Sequence, residues 1–161
     1  MAKLLLALLA TALLWTPFPV HASTLLEGSI ASGFRWQPSP TERIPTNLML
    51  TLGYSIPGVK FEVGAVGYFS DVKGSSFDMG LRPMLALSLP GLPLYLKGIV
   101  NVTGLVDTPA HVGYGGALGL RLGAAGLGVF LEAGALSGQQ AIAGSNESTW
   151  LAEGRLGFYF E

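Results

Sequence analysis

Apolar and polar residues alternate along this chain, and every charge inside an alternating run falls on the polar parity. Phe77-Asp78-Met79-Gly80-Leu81-Arg82 shows the rule: Phe77, Met79 and Leu81 stand on one side, Asp78, Gly80 and Arg82 on the other. A period of two is the mark of a strand with chemically different faces. It constrains the chain more than any single motif, because the segments that obey it account for most of the chain after the first 22 residues.

Eight segments follow the pattern: Leu26 to Gln37, Asn47 to Ile56, Val59 to Ser70, Phe77 to Leu89, Leu94 to Thr103, His111 to Leu122, Leu127 to Leu136, and Trp150 to Phe160. The sixth is the cleanest, with Val112, Tyr114, Gly116, Leu118, Leu120 and Leu122 opposite His111, Gly113, Gly115, Ala117, Gly119 and Arg121. Pro83 removes a ladder donor within the fourth, so a bulge or bend is expected there. The connections alternate in kind. Pro57-Gly58, Pro90-Gly91-Leu92-Pro93 and Gly123 to Gly126 are tight-turn material. Pro38 to Thr46, Asp71 to Ser76, Gly104 to Ala110 and Ser137 to Thr149 are longer and more polar.

Composition decides which face is the outside. Half of the residues are hydrophobic, 12% are charged, and 23 are Gly. A water-exposed surface normally has about a quarter of its residues charged. A soluble barrel with its aliphatic face inward is the alternative. It would need far more surface charge, and eight strands enclose a space too narrow for a wall of Leu, Phe and Trp. The Gly, Ala and Ser parity suits the crowded axis. The reading is therefore all-β: an eight-stranded antiparallel up-and-down transmembrane β-barrel, first strand paired with last. An open edge could not exist in lipid.

The first 22 residues read as a secretory leader, leaving one domain over 23–161. Lys3 precedes a mostly apolar stretch from Leu4 to Leu14, and Val20-His21-Ala22 is a small-residue cleavage site. The apolar run is too short to span a bilayer as a helix, which takes about 20 residues. A retained interfacial anchor is the competing reading. Cleavage would remove Lys3 and leave 8 Lys and Arg against 10 Asp and Glu, a formal charge of -2.

The inward parity holds Arg35, Lys60, Arg82, Lys97, Arg121 and Arg155 against Glu27, Glu62, Asp78, Glu132 and Glu153. Running the strands alternately up and down puts Arg82, Lys97, Glu132, Glu153 and Arg155 in the middle third. Unpaired buried ions cost several kcal/mol, so these five are expected to form a lumen charge network that plugs the barrel. On the outward parity, Trp36, Phe69, Phe77, Tyr114 and Trp150 gather at the loop end. Tyr54, Phe61, Phe158 and Phe160 gather at the turn end. Two aromatic rings of this kind would anchor a barrel at both interfaces.

With these residues in place, the chain resembles the eight-stranded outer-membrane barrels of Gram-negative bacteria, the group of the OmpX-like proteins and the OmpA membrane domain. That family ends its last strand on an aromatic with alternating apolar residues before it. Leu156-Gly-Phe158-Tyr-Phe160 fits, and Glu161 departs from the pattern. The resemblance implies the outer membrane as location. It implies outer-membrane lipids, lipopolysaccharide and the barrel-assembly machinery as partners, and no nucleic acid. It puts short turns at the periplasmic end and longer loops outside. Some barrels of this size modify lipid A acyl chains. A deacylase of that type would carry a serine two residues after a strand histidine, where this chain has His111-Val112-Gly113. Ser137 and Ser145 are the remaining candidates for a Ser-His site, with no orienting carboxylate at a recognisable spacing.

No catalytic residue, metal site or cofactor is expected. After the leader there is one His and no Cys, a poor donor set for transition metals, and Asp107 is the only acid in its loop. The glycines from Gly113 to Gly119 lie in a strand and lack a following Gly-Lys-Ser/Thr. The expected function is a non-enzymatic outer-membrane protein serving envelope integrity or surface contact. A narrow porin-like channel for ions or small polar solutes is the alternative, and a lipid-modifying enzyme stands third. Oligomeric state is not legible, since a monomer and a lipid-facing dimer need the same outer wall.

Overall fold

A computed structural model of the chain describes residues 22–37, 42–69, 77–106, 110–137 and 150–161. Apart from Ala22, the segment read as a leader lies outside them, as do Asp107, Ser145 and most of the four longer connections. Eight antiparallel strands close in sequence order: β1 (Ser23–Gln37), β2 (Glu42–Ile56), β3 (Val59–Phe69), β4 (Phe77–Ser88), β5 (Leu94–Thr103), β6 (His111–Ala124), β7 (Leu127–Ser137) and β8 (Trp150–Phe160). β1 pairs with both β2 and β8, so no edge is left open.

The register defines the barrel's geometry. The partners of Leu25 run through Gly53, Glu62, Met84, Ile99, Gly115, Leu136 and Leu151 and arrive back on β1 at Arg35, ten residues further along. With ordinary strand spacing, that stagger over eight strands tilts them by about 40° and sets the backbone at a radius of roughly 8 Å. Such a cylinder is filled by its own side chains.

Burial follows the parity read from the sequence. Along β5 every second residue from Tyr95 to Thr103 is buried, and Leu96, Gly98 and Val100 between them are exposed. The outer wall is apolar over most of its area: Leu50 is 59% exposed, Leu52 62%, Val112 69% and Leu118 51%. Leu120, also outward, is partly exposed. In a water-soluble protein that much contiguous apolar surface would be exceptional.

Three details differ from the sequence reading. β2 begins at Glu42 rather than Asn47, so the strand holds two adjacent charged residues, Glu42 and Arg43, that the one-parity rule did not include. This extension follows a register shift between Ala31 and Gly33 of β1, where a second irregularity lies between Arg35 and Gln37. The first shift has its extra residue on β2 and the second on β1, and Pro83 produces none. Val63 pairs with Pro83 in unbroken register on the β3 side. On the β5 side pairing lapses between Leu81 and Met84 and resumes in the same register. The missing N–H interrupts one ladder without moving it. Finally, β6 and β7 run on to Ala124 and from Leu127, leaving a two-residue turn. Both turn residues have positive φ, Ala125 at 53° and Gly126 at 80°, as the tightest hairpins require.

Candidate functional site

The lumen is the only place in the described structure where polar chemistry concentrates, and it is organised in two connected layers. In the upper layer, Glu153 of β8 sits between two guanidinium groups. Arg82 of β4 donates to it from Nη1 at 2.7 Å and Nη2 at 3.1 Å, and Arg155 donates from Nη2 at 2.7 Å. Asn47 adds its amide N–H at 3.1 Å. Neutral groups use the remaining donors. Arg82 Nε donates to Asn101 Oδ1 at 2.7 Å, and its Nη2 to the Tyr68 hydroxyl, which itself donates to Asn101 Oδ1. Arg155 also donates to Ser29 Oγ at 2.8 Å and Asn47 Oδ1 at 2.9 Å. Arg82 is 1% exposed and Glu153 8%. Two ions this deep are stable only because almost every donor and acceptor has a partner.

The lower layer is built around Lys97 of β5. Its Nζ lies 2.6 Å from Glu132, 2.7 Å from Glu62 and 3.9 Å from Glu27, and it stands over the rings of Tyr95 and Phe130. Tyr95 donates its hydroxyl to Glu132 at 2.7 Å. Arg121 of β6 pairs with Glu27 and packs on Tyr159, its guanidinium carbon 4.5 Å from the ring centre. Arg155 Nε, 3.9 Å from Glu132 Oε2, joins this layer to the upper one. Thus Arg82, Lys97, Glu132, Glu153 and Arg155 form one connected set.

Glycine makes room for the long side chains. A Cβ at Gly119 would lie 2.1 Å from the Tyr95 ring, and one at Gly157 2.5 Å from the Phe130 ring. Met49, Val66, Met84, Ile99 and Leu136 pack among the polar groups as an apolar filling.

Sequence spacing passed over several contributors, four of them central. Asn47, Tyr68 and Asn101 are neutral, and a search for charges overlooks them. Parity places each on the inward face of its strand without naming its partner. The fourth is Glu161, just beyond β8. Its side chain reaches across the turn-side mouth to pair with Lys60 and Ser55, and lies 3.8 Å from Arg121. Burial pushes its carboxyl upward, yet the hydrogen bonds from Lys60 and Ser55 prevail and hold it below the usual carboxylate range. With Glu161 included, the described inward charges balance, six of each sign. The small positive excess expected from the strands alone disappears.

The residues considered for other chemistry are dispersed or engaged. His111 stands at the loop end of β6, opposite Thr103. Ser137 donates its hydroxyl to the Tyr114 carbonyl at 3.0 Å. Asp78 accepts from the backbone N–H groups of Met79 and Gly104 and ties β4 to the connection after β5. Among the described residues no cluster of three His, Cys, Asp or Glu side chains could hold a metal. At the loop end Phe69 packs with Phe77 and Tyr114 with Trp150, and at the turn end Phe158 packs with Phe160. Trp36 lies in β1, its side chain outside the described set.

No protein-family model matches the sequence, and no curated protein matches it. The fold does have solved counterparts. The crystal structure of Neisserial surface protein A (NspA) superposes with a TM-score of 0.60 at 17% identity, over 86% of this chain and 97% of that one. The N-terminal β-barrel domain of Pseudomonas aeruginosa OprF gives 0.51 at 14% identity, over 87% of this chain and 100% of that one. At such identities the likeness is one of fold.

Proposed function

We propose that this chain is an integral outer-membrane protein of a Gram-negative envelope, exported by its leader, whose barrel is a sealed, non-enzymatic scaffold. Its role is envelope integrity or surface contact through the loops. The observation behind this reading is the pairing of an apolar outer wall with an ion-paired lumen. The wall needs a hydrocarbon solvent, and antiparallel strands of 10 to 15 residues tilted by about 40° are long enough to cross one. Solved barrels of the same fold, one of them a Neisserial surface protein, support the location. Its partners are then outer-membrane lipid, lipopolysaccharide and the machinery that inserts barrels.

One observation favours a second reading, a narrow channel for ions or small polar solutes. Asn101 Nδ2 beside Arg82, Thr103 Oγ1 toward the loop end, and Thr51 Oγ1 on the residue opposite Glu27 have no hydrogen-bond partner among the described residues. Such atoms suit water. The ion-paired and apolar layers between them favour closure. Conductance across a planar bilayer separates the two readings. The scaffold reading expects no stable openings from the wild type. Stable openings whose size or selectivity changes in Arg82→Gln or Arg155→Gln would replace it with the channel.

A further inference from the structure

The turn-side mouth of the lumen holds a feature that the scaffold reading leaves unused. A cavity of about 220 Å³ opens there, lined by Lys60, Tyr95, Arg121 and Tyr159 at its polar end and by Leu92 and Pro93 of the β4–β5 turn. Two cations flank it. Lys60 meets one carboxylate, that of Glu161. Arg121 is held by Glu27, its Nε has no hydrogen-bond partner among the described residues, and its Nη1 stands 3.8 Å from Glu161. The Tyr159 ring lies beneath both cations, 4.5 Å from the Arg121 guanidinium carbon and 5.9 Å from Lys60 Nζ.

We propose that this mouth is a binding site for a small carboxylate with an apolar body, occupied in cis by the side chain of Glu161. An external carboxylate would take the place of Glu161 on Lys60 and Arg121, and its small apolar body would enter the cavity between Tyr95, Tyr159 and the Leu92-Pro93 rim.

Three observations converge on this. Glu161 shows that the cations accept a carboxylate in this position, with Ser55 supplying a further donor. The exchange is neutral in charge, whereas adding a second anion would not be, because Glu27, Glu62 and Glu132 already surround Lys97 just above. The occupant is easily released: the Glu161 side chain keeps 26% of its surface exposed, while that of Lys60 keeps 10%. Its backbone is held separately, by donation from Glu161 N to Gly126 O at 2.7 Å, so the side chain can leave without unravelling β8. The inference rests on the proposed membrane orientation only for the compartment the mouth faces, which is the periplasm.

A tethered carboxylate competes at an effective concentration on the order of millimolar or above, so removing it should expose the site. The test uses the whole protein folded in a maltoside detergent, titrated with N-acetyl-alanyl-alanine, its C-terminal amide, and inorganic phosphate. Calorimetry and the Tyr95 and Tyr159 ring signals give the readout. Glu161→Ala should bind the free acid at least tenfold more tightly than the wild type, bind the amide hardly at all, and lose the gain when Lys60→Met is added. In the wild type, a large excess of the acid, but not of the amide, should move the Tyr159 signals. Equal binding of acid and amide by Glu161→Ala overturns the proposal, as does a gain that survives Lys60→Met. Phosphate bound as tightly as the peptide acid would overturn it too, because the cavity would then contribute nothing. Heat-modifiability measured on the same samples reports the barrel itself, so a failure of the fold is distinguishable from a failure of the site.

Discussion

Glu153 is the residue on which the lumen depends most. It accepts four donors from three residues, and two of those are guanidinium groups with no other carboxylate as near. Glu153→Gln keeps the shape and removes the charge. It leaves Arg82 and Arg155 facing each other and turns part of the acceptor into a donor. Breaking one side of a buried pair costs about 3–5 kcal/mol, and urea titration of the folded barrel should lose an amount in that range. Glu132→Gln should cost less, about 1–3 kcal/mol, because Lys97 keeps Glu62 at 2.7 Å. A barrel indifferent to both changes would have a wet, loosely ordered lumen, which favours the channel. Charge and parity together were enough to bring these five residues to one region of the lumen. They could not say that Asn47, Tyr68 and Asn101 would complete the upper layer, because a neutral side chain on an inward face has no preferred partner until the register is known. Glu161 was opaque for another reason. A residue past the end of a strand has no parity, and only the closed ring brings Ser55, Lys60 and Arg121 near it.

At the scale of elements, the strands were legible because an apolar outer wall and a crowded interior act on alternate residues, and their ends were not. The limits of β5 and β8 match the periodic segments, where a proline turn precedes one and a polar connection precedes the other. β2 runs five residues further back, and β6 two residues further on, because backbone pairing continues after the alternating apolar pattern stops. A pattern that reports the solvent cannot report a ladder that outlasts it. The extended β6 leaves Ala125 in the left-handed region at φ 53°. A residue with a Cβ loses about 1–2 kcal/mol there, and glycine's greater freedom in the unfolded chain returns about 0.4–1 kcal/mol of that. Ala125→Gly should therefore stabilise the barrel by about 0.5–1 kcal/mol, read as a higher urea midpoint with an unchanged slope. Gly126→Ala should act in the opposite direction: its φ is 80°, and a Cβ would come within 2.4 Å of the Glu161 carbonyl.

For the whole molecule, the decisive inference was which parity faces out, and that rested on volume rather than on periodicity. A cylinder of roughly 8 Å backbone radius has no room for the side chains of Leu48, Leu50, Leu52 and their counterparts on seven other strands. They are accordingly on the outside, while glycines such as Gly119 and Gly157 lie beneath the rings that cross the lumen. Depth along that outer wall is set by the register. Leu50 pairs with Gly28 and Ala65, near the middle of three strands. Leu120 pairs with Leu94, the first residue of β5, and so lies toward the turns. If the wall faces hydrocarbon, an arginine should cost more at the first position than at the second. Leu50→Arg should cost about 2–4 kcal/mol, and Leu120→Arg about 1–2 kcal/mol because its guanidinium can reach the interface. Urea titration in liposomes measures both. A wall facing water would give the opposite result, since exchanging an exposed leucine for arginine in water leaves stability within about 0.5 kcal/mol or improves solubility. Equal and negligible costs at the two depths would therefore remove the membrane from the account while leaving the barrel and its ion-paired lumen in place.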